Sequence, residues 1–542
     1  MRARSLLARL QRPWMVILSV VGIAALPRLL LIAISAHPGL WDPTHYYLLG
    51  RNLYHGRGFV IDYIWHYAND PPAVTHPIDY WLPMSGILAA AGMALAGEAV
   101  PAALLPFALL GAVQAGLATW FARRIGLSVP GQVLAGLGTS FIPWLFLSSL
   151  HTDTTTPFGV FAFATLAAMW LGLEGDARWL WLSGGCAGLA LLTRNDALLL
   201  LPTLALSALP FALARQRRIA WFHYGGFLLA CGLVVAPWLV RNQMTLGTPW
   251  PKSVVQTAFV RDFEELYAYA TPITLARYLA WGLPNIVGKC IFELVASLKL
   301  MVALAGEFFS VAVGSLLLAG LWRLRGSSLG RAGDRMAESP ETDGFVPALL
   351  WPLLPALIFL GMAWLFYGIV TPFLSQGGSF KKAYLGVLPF LVVGGAGMVE
   401  RYIRPKGTLW AVVLLAIISI VPHTFDAVRD DFALNRSYAA YVAAIGRTLD
   451  DIQAGMEREL ILMTRDPWSI QLGPGYRAIM VPQDDLETIL AVADRYGATH
   501  ILLPAPREAL AGIYDGSASH PRLKLVAEVE GQPERIYAIM PP

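Results

Sequence analysis

Two aspartates and a scatter of cations carry most of the chemistry this sequence offers. Asp42 stands in WDPTHYYLLGRNLYHGRGF and Asp153 in SSLHTDTTTPFG. A positioned carboxylate can take the proton from an attacking hydroxyl. Arg194 in LLTRNDALL, Arg241 in PWLVRNQMTLGTPWP, Lys252, and the pair Lys381 and Lys382 in SQGGSFKKAYLGVLP can together hold an anion such as a lipid-borne phosphate. Each residue also has a plainer reading. Asp42 before Pro43 has the order of a helix N-cap and a first-turn proline, with Gly56 ending the helix. Asp153 suits a turn or cap, and any one interfacial cation is usually a snorkelling side chain.

The elements that must position these groups are membrane helices. Of 542 residues, 56% are hydrophobic and only 14% charged, against roughly a quarter charged in soluble domains. Apolar stretches at about 14 to 36, 101 to 122, 128 to 148, 156 to 173, 179 to 193, 197 to 214, 221 to 240, 301 to 322, 346 to 369, 383 to 399 and 408 to 423 give eleven candidate spans. Arg2, Arg4, Arg9 and Arg12 before the first span place the N-terminus in the cytoplasm, so an odd count leaves the C-terminus outside. The apolar segment 81 to 97 would, as a span, send Arg123 and Arg124 outward. Laid along the outer surface, it returns them inside with Arg215, Arg217, Arg218, Arg323, Arg325, Arg401 and Arg404.

That topology puts Asp42 and Asp153 on one side at one depth, and the five cations at outer helix ends. Residues 1 to 425 form the membrane part, with outer loops 37 to 100 and 241 to 300 and a cytoplasmic loop at 323 to 345. From 426 to 542, short β-type runs such as RELILMTRD and THILLP alternate with a helix-type run, the pattern of a small extracytoplasmic α/β domain. Surface helices are expected near 43 to 55 and 77 to 97. Tyr46, Tyr47, Tyr63, Trp65, Tyr80 and Trp81 suit interface anchoring, with sugar stacking as the alternative. Arg28, deep in the first span, requires a partner that the sequence does not name. Cys186, Cys231 and Cys290 are too scattered for a disulfide framework or a zinc knuckle; the net charge of +4 is small for this length and by itself says nothing about nucleic acid, and no nucleic-acid partner is expected.

The ordered set DPTHYYLLGRNLYHGRGF, THPIDYWLP, HTDTTTPF, GLALLTRNDALLLLP and APWLVRNQMTLGTP resembles the GT-C superfamily of polytopic glycosyltransferases. Within it, the branch of dolichyl-phosphate-mannose protein mannosyltransferases and the bacterial aminoarabinose lipid A transferase is the most similar. The resemblance implies transfer of a sugar from a polyprenyl-phosphate donor to an acceptor hydroxyl at the extracytoplasmic face of the bacterial plasma membrane. The acceptor, whether protein, lipid or glycan, is left open. It assigns Asp42 as catalytic base and Asp153 as the second catalytic aspartate, and puts His76 opposite the phosphate. The family has His-Pro-Pro or Lys-Pro-Pro where this chain has His76, Pro77 and Ile78, with Asp79 following. The phosphate set is then His76, Arg194, Arg241, Lys252, Lys381 and Lys382, with Tyr46, Asp79 and Tyr80 toward acceptor or sugar.

A sugar on a polyprenyl phosphate already has a good leaving group, so one base and several cations suffice, without the second acid of glycosidases. Attack then inverts the anomeric carbon. Carboxylates with a nearby histidine are compatible with a divalent cation, although no ligand spacing demands one. The rival readings are a lipid-linked glycan transporter or flippase and a non-catalytic envelope assembly protein. A transporter should carry mid-membrane polar groups on broken helices and repeated halves; here the polar groups gather at outer helix ends and no repeat is visible.

Overall fold

The computed structural model describes residues 13–327, 342–374, 378–403 and 405–542. Arg2, Arg4, Arg9, Arg12, Arg404 and most of the loop 323 to 345 lie outside the described residues. Among those described, eight helices are long and apolar enough to cross a membrane: Trp14–Ala33, Val100–Arg124, Thr155–Glu174, Asn195–Ala214, Trp221–Leu246, Leu349–Val370, Ser379–Tyr402 and Lys406–Ala454. The other three expected spans are helical in a different way. Segment 128 to 148 divides into Val129–Phe141 and Pro143–Ser148, because Pro143 cannot continue a helix and leaves Ile142 extended. Trp179–Leu191 has only 13 residues, and 301 to 322 forms part of the 45-residue helix Leu283–Ser327.

Small residues and aromatic rings set the packing between these helices. A Cβ on Gly184 would stand 2.1 Å from the carbonyl oxygen of Phe227, so only glycine lets Trp179–Leu191 lie this close to Trp221–Leu246. Phe163 and Phe390 stack at 4.1 Å, with Phe121 edge-on to both. Arg28 finds its partners among hydroxyls and carbonyls. Its guanidinium donates to Ser149 Oγ at 2.8 Å, Ser140 Oγ at 2.9 Å and the carbonyls of Ala24 and Ser140, and it lies over the Phe146 ring. Four hydrogen bonds thus replace the counter-charge that a buried arginine would otherwise require.

Residues 37 to 100 hold two helices, Asp42–Tyr54 and Met84–Ala96, near the two stretches where surface helices are expected. The second begins later than 77 because His76 and Pro77 form a strand, β3, antiparallel to β1 (Val60–Ile61). The C-terminal region carries β4 (Ile461–Thr464), β5 (Arg477–Met480), β6 (His500–Leu503), β7 (Leu523–Glu528) and β8 (Arg535–Ile539). Its sheet has six strands in the order β2-β5-β4-β6-β8-β7, and the edge strand β2 (Tyr63–Ile64) comes from the loop region 37 to 100. Strands β2, β5, β4 and β6 are parallel; β8 and β7 run antiparallel. Residue 426 falls inside the 49-residue helix Lys406–Ala454, about 70 Å long at 1.5 Å per residue, which runs unbroken from the bundle into the sheet region.

Candidate active site

Asp42 is the first residue of its helix, not the cap before it. Trp41 occupies the cap position at φ 60°, and no side chain caps the helix. A bulky residue in that conformation costs about 1–3 kcal/mol, which surrounding structure must offset. The carboxylate is thereby left for a longer-range partner, and Asp42 Oδ2 accepts from Lys382 Nζ at 2.9 Å. The same ammonium donates to Asp153 Oδ1 at 2.7 Å. Asp153 sits in the turn before Thr155–Glu174, with Thr155 Oγ1 donating to its Oδ2 at 2.6 Å. Burial would raise the Asp153 carboxyl, but the Lys382 ammonium and the Thr155 and Thr154 donors hold it well below the usual carboxylate range. Lys382 lies in the first turn of Ser379–Tyr402, where the helix dipole disfavours a cation. The two carboxylates offset that cost. The two aspartates therefore converge, as their shared depth in the sequence predicts, and one ammonium joins them.

Two cavities meet at this ion cluster, both lined by Asp42, Trp81 and Lys382. The larger, of about 750 Å³, lies between the bundle and the C-terminal region and also reaches Asp153, Tyr267, Arg465 and Trp468. The smaller, of about 340 Å³, opens among helix ends and is lined by Tyr46, Tyr80, Thr193, Arg194, Tyr367 and Ser379. Arg194 grips Asp196 through Nε and Nη2, both at 3.0 Å, and reaches the Ser379 carbonyl at 3.1 Å. Tyr367, on the π-helical turn Phe366–Val370, donates to Asp196 Oδ2 at 2.9 Å. Such turns are common at functional sites. The phenols of Tyr46 and Tyr80 are pushed up by burial, so both enter the cavity as neutral donors.

The remaining sequence candidates stand elsewhere. Lys381 lies over the Trp144 ring, 2.9 Å from its centroid. Arg241 spends its donors on the carbonyls of Ile78 at 2.8 Å and Phe59 at 2.9 Å and stacks over Trp238, tying the loop region 37 to 100 to a membrane helix. Lys252 is exposed at the start of the short helix Lys252–Gln256. His76 is buried, with Nδ1 donating to the Val74 carbonyl at 3.0 Å; burial pushes its pKa down against the pull of Asp79. Asp79 pairs with His66 at 3.3 Å, and none of these five lines either cavity.

Several cavity residues give no comparable signal in the sequence. Tyr438, Tyr441, Arg465, Asp466 and Trp468 come from the C-terminal region, and Tyr267 from the loop region 241 to 300. The one readable hint is Asp466-Pro467, the same dipeptide as Asp42-Pro43. Among the described residues no group of three or more His, Cys, Asp or Glu side chains is arranged to hold a metal ion. At the aspartate pair the positive charge is the Lys382 ammonium.

Residues 75–240 match the family of dolichyl-phosphate-mannose-protein mannosyltransferases. A comparison with curated proteins finds no match. Among solved structures, ArnT from Cupriavidus metallidurans bound to undecaprenyl phosphate superposes with a TM-score of 0.59 at 14% identity, covering 98% of this chain and 99% of that one. The apo form of the Archaeoglobus fulgidus oligosaccharyltransferase gives a TM-score of 0.50 at 12% identity, over 91% of this chain and 70% of that one. The whole chain thus shares the fold of these two solved structures, and within it residues 75–240 are similar to the mannosyltransferase family.

Proposed function

We propose that this protein transfers a sugar from a polyprenyl-phosphate donor to an acceptor hydroxyl at the outer face of the plasma membrane, with inversion at the anomeric carbon. The carrying observation is the Asp42–Lys382–Asp153 cluster at the junction of two cavities, one among membrane-helix ends and one toward the C-terminal region. The helix-end cavity suits the donor head. ArnT, whose fold this chain shares, binds undecaprenyl phosphate, which supports a donor of that class.

In this reading the acceptor oxygen attacks the anomeric carbon from the larger cavity while Asp42 takes its proton. The bond from that carbon to the phosphate oxygen breaks, and the phosphate leaves with the electron pair. Lys382, already facing both cavities, and Arg194 offset the charge that grows on it. Asp153 positions the Lys382 ammonium. The donor-phosphate set narrows to Lys382 and Arg194, because Arg241, Lys252, Lys381 and His76 stand outside the cavities.

The test is transfer of a radiolabelled sugar from polyprenyl-phosphate donors by purified protein in nanodiscs, wild type beside Asp42→Asn. Transfer by wild type and none by a folded, donor-binding Asp42→Asn supports the base. Equal transfer by both removes it.

A further inference from the structure

The two loops that carry Asp42 and Asp153 are fastened to each other behind the ion cluster. The Thr152 amide donates to the Pro38 carbonyl at 3.2 Å, and Thr152 Oγ1 donates to the Pro43 carbonyl at 2.5 Å. Thr44 Oγ1 in turn donates to the Gly39 carbonyl at 2.8 Å. Residues 38–44, with Asp42 among them, are thus held on the neighbour of Asp153. Gly39 shows how closely the loops meet. It has a φ of 103°, and a Cβ there would stand 2.8 Å from Pro43 Cβ and 2.9 Å from His151 Cγ. Only glycine takes that backbone without strain and leaves room for the His151 ring.

From the same spot His151 reaches a third element. Its Nε2 donates to Asp431 Oδ2 at 3.0 Å, and Asn435 Nδ2 donates to that oxygen at 2.9 Å. Asp431 lies where the long helix Lys406–Ala454 passes from one hydrophobic core to another. Val428 belongs to the core of the bundle, and Ala444 and Ile445 to a core of the C-terminal sheet. Asp431, Asn435, Tyr438, Val442 and Ile445 follow at the i, i+4, i+7, i+11, i+14 spacing of one helical stripe. The last three line the 750 Å³ cavity, so the stripe that meets His151 continues as the cavity wall. An exposed ion pair contributes about 0–1 kcal/mol and would leave rates alone. Here the two side chains are only 18% and 20% exposed, and the histidine touches the backbone that carries both catalytic carboxylates.

We propose that His151 is a positioning residue that keys the long helix, and with it the C-terminal wall of the cavity, to the paired aspartates. Its ring fills the notch at Gly39 while its Nε2 holds Asp431, so docking of the helix and spacing of the two carboxylates on Lys382 are one arrangement. The kinetic part rests on the transferase reading; the docking does not. Two readouts on the full-length protein in nanodiscs separate them. The first is transfer kinetics, measured beside polyprenyl phosphate affinity and melting temperature. The second is hydrogen–deuterium exchange of residues 37–44 and 431–438 without substrate.

His151→Ala should lower kcat about tenfold or more, because small misplacements at a reacting centre cost at least that much. That loss should exceed any change in polyprenyl phosphate affinity or acceptor KM. His151→Phe keeps the ring and loses the donor, and should fall likewise, as should Asp431→Ala. His151→Gln returns an N–H donor near the Nε2 position and should recover most of kcat. The double variant His151→Phe/Asp431→Ala should be no slower than either single one, as for one shared contact. Both segments should exchange faster in the slow variants and near the wild-type rate in His151→Gln. Should His151→Ala fail to fold, Asp431→Ala and His151→Gln carry the comparison. An unchanged kcat in His151→Phe overturns the inference, as does a loss that follows melting temperature and is not recovered by glutamine. Single effects that multiply in the double variant overturn it as well, as does faster exchange confined to residues 37–44. A wild-type protein that transfers nothing removes the transferase reading, and the exchange of the two segments then decides the docking by itself.

Discussion

The dipeptide Asp-Pro occurs at two helix starts that line the same cavity, and the two aspartates behave differently. Asp466 is a cap in the ordinary sense, accepting the Ser469 amide at 3.1 Å to open the helix Pro467–Leu472. Asp42 caps nothing. Its helix is entered through a positive-φ Trp41, and the carboxylate reaches Lys382, 340 residues away in sequence. One aspartate is consumed by local structure; the other has been withheld from it. A helix-start signal therefore identifies an element without saying whether its carboxylate remains available for chemistry.

The sharpest way to break this comparison is to neutralise both carboxylates in turn. Asp42→Asn should lower transfer by roughly 10²–10⁴, the usual contribution of a general base, with polyprenyl phosphate binding and melting temperature near wild type. Asp466→Ala should instead lose about 1 kcal/mol of stability, the ordinary cost of a lost cap, with the larger change in melting temperature and the smaller in kcat. If Asp42→Asn loses stability and keeps its rate, the two helix starts are equivalent and the catalytic assignment fails.

Lys382→Gln tests the partner that distinguishes Asp42. Removing the ammonium leaves two carboxylates facing each other, and like charges at that range disfavour joint ionisation. Transfer should fall about 10²–10³, the scale seen when one stabilising charge donor is removed. Asp153→Asn in the same background should restore melting temperature without restoring rate, because it removes the repulsion and not the missing cation. A thermal-shift series of the single and double variants decides it.

Arg241→Gln stands next in size. Its two carbonyl contacts tie residues 59 and 78 to a membrane helix, so its loss should cost about 1.5–3 kcal/mol of stability, as charged hydrogen bonds do. Per folded molecule, kcat should stay within a few-fold of wild type. A hundredfold loss of kcat in well-folded Arg241→Gln would return the residue to the phosphate site.

Much of the fold is legible from hydropathy and charge alone, since each of the eleven apolar segments is helical and both surface helices lie close to where the polar loops predict them. The unreadable parts share a cause. The entry of Tyr63 and Ile64 into a distant sheet does not follow from local periodicity, because it depends on a strand brought up by the rest of the chain, whereas the break at Ile142 is local and set by Pro143. At the site, carboxylate type and depth are enough to bring Asp42 and Asp153 together. Cation position at an outer helix end is not enough, because Lys382 and Arg241 look alike in sequence. The first meets carboxylates beside empty space, whereas the second meets carbonyls inside packed loop. The aromatic wall from the C-terminal region is invisible for the same reason, since Tyr438 and Tyr441 lie on an otherwise ordinary helix face.

The smallest predicted effect separates the two helix starts by acid. His45, one turn into the helix that opens with Asp42, is fully enclosed beneath Trp81 with Nδ1 2.5 Å from Tyr63 Oη, and burial pushes its pKa down to about 3. The helix Pro467–Leu472 carries no histidine. In the unfolded chain His45 takes a proton near pH 6.5, so between there and about 3 the unfolded state binds more protons than the folded one. Stability must therefore fall as pH falls through that window. His37, pushed to about 4 chiefly by burial, adds in the same direction. Melting temperature in nanodiscs should drop between pH 7 and pH 5, and His45→Gln, which cannot be protonated, should flatten that slope while leaving Asp466→Ala as pH-sensitive as wild type. A slope unchanged in His45→Gln would mean that the helix presenting Asp42 is not where acid enters the fold.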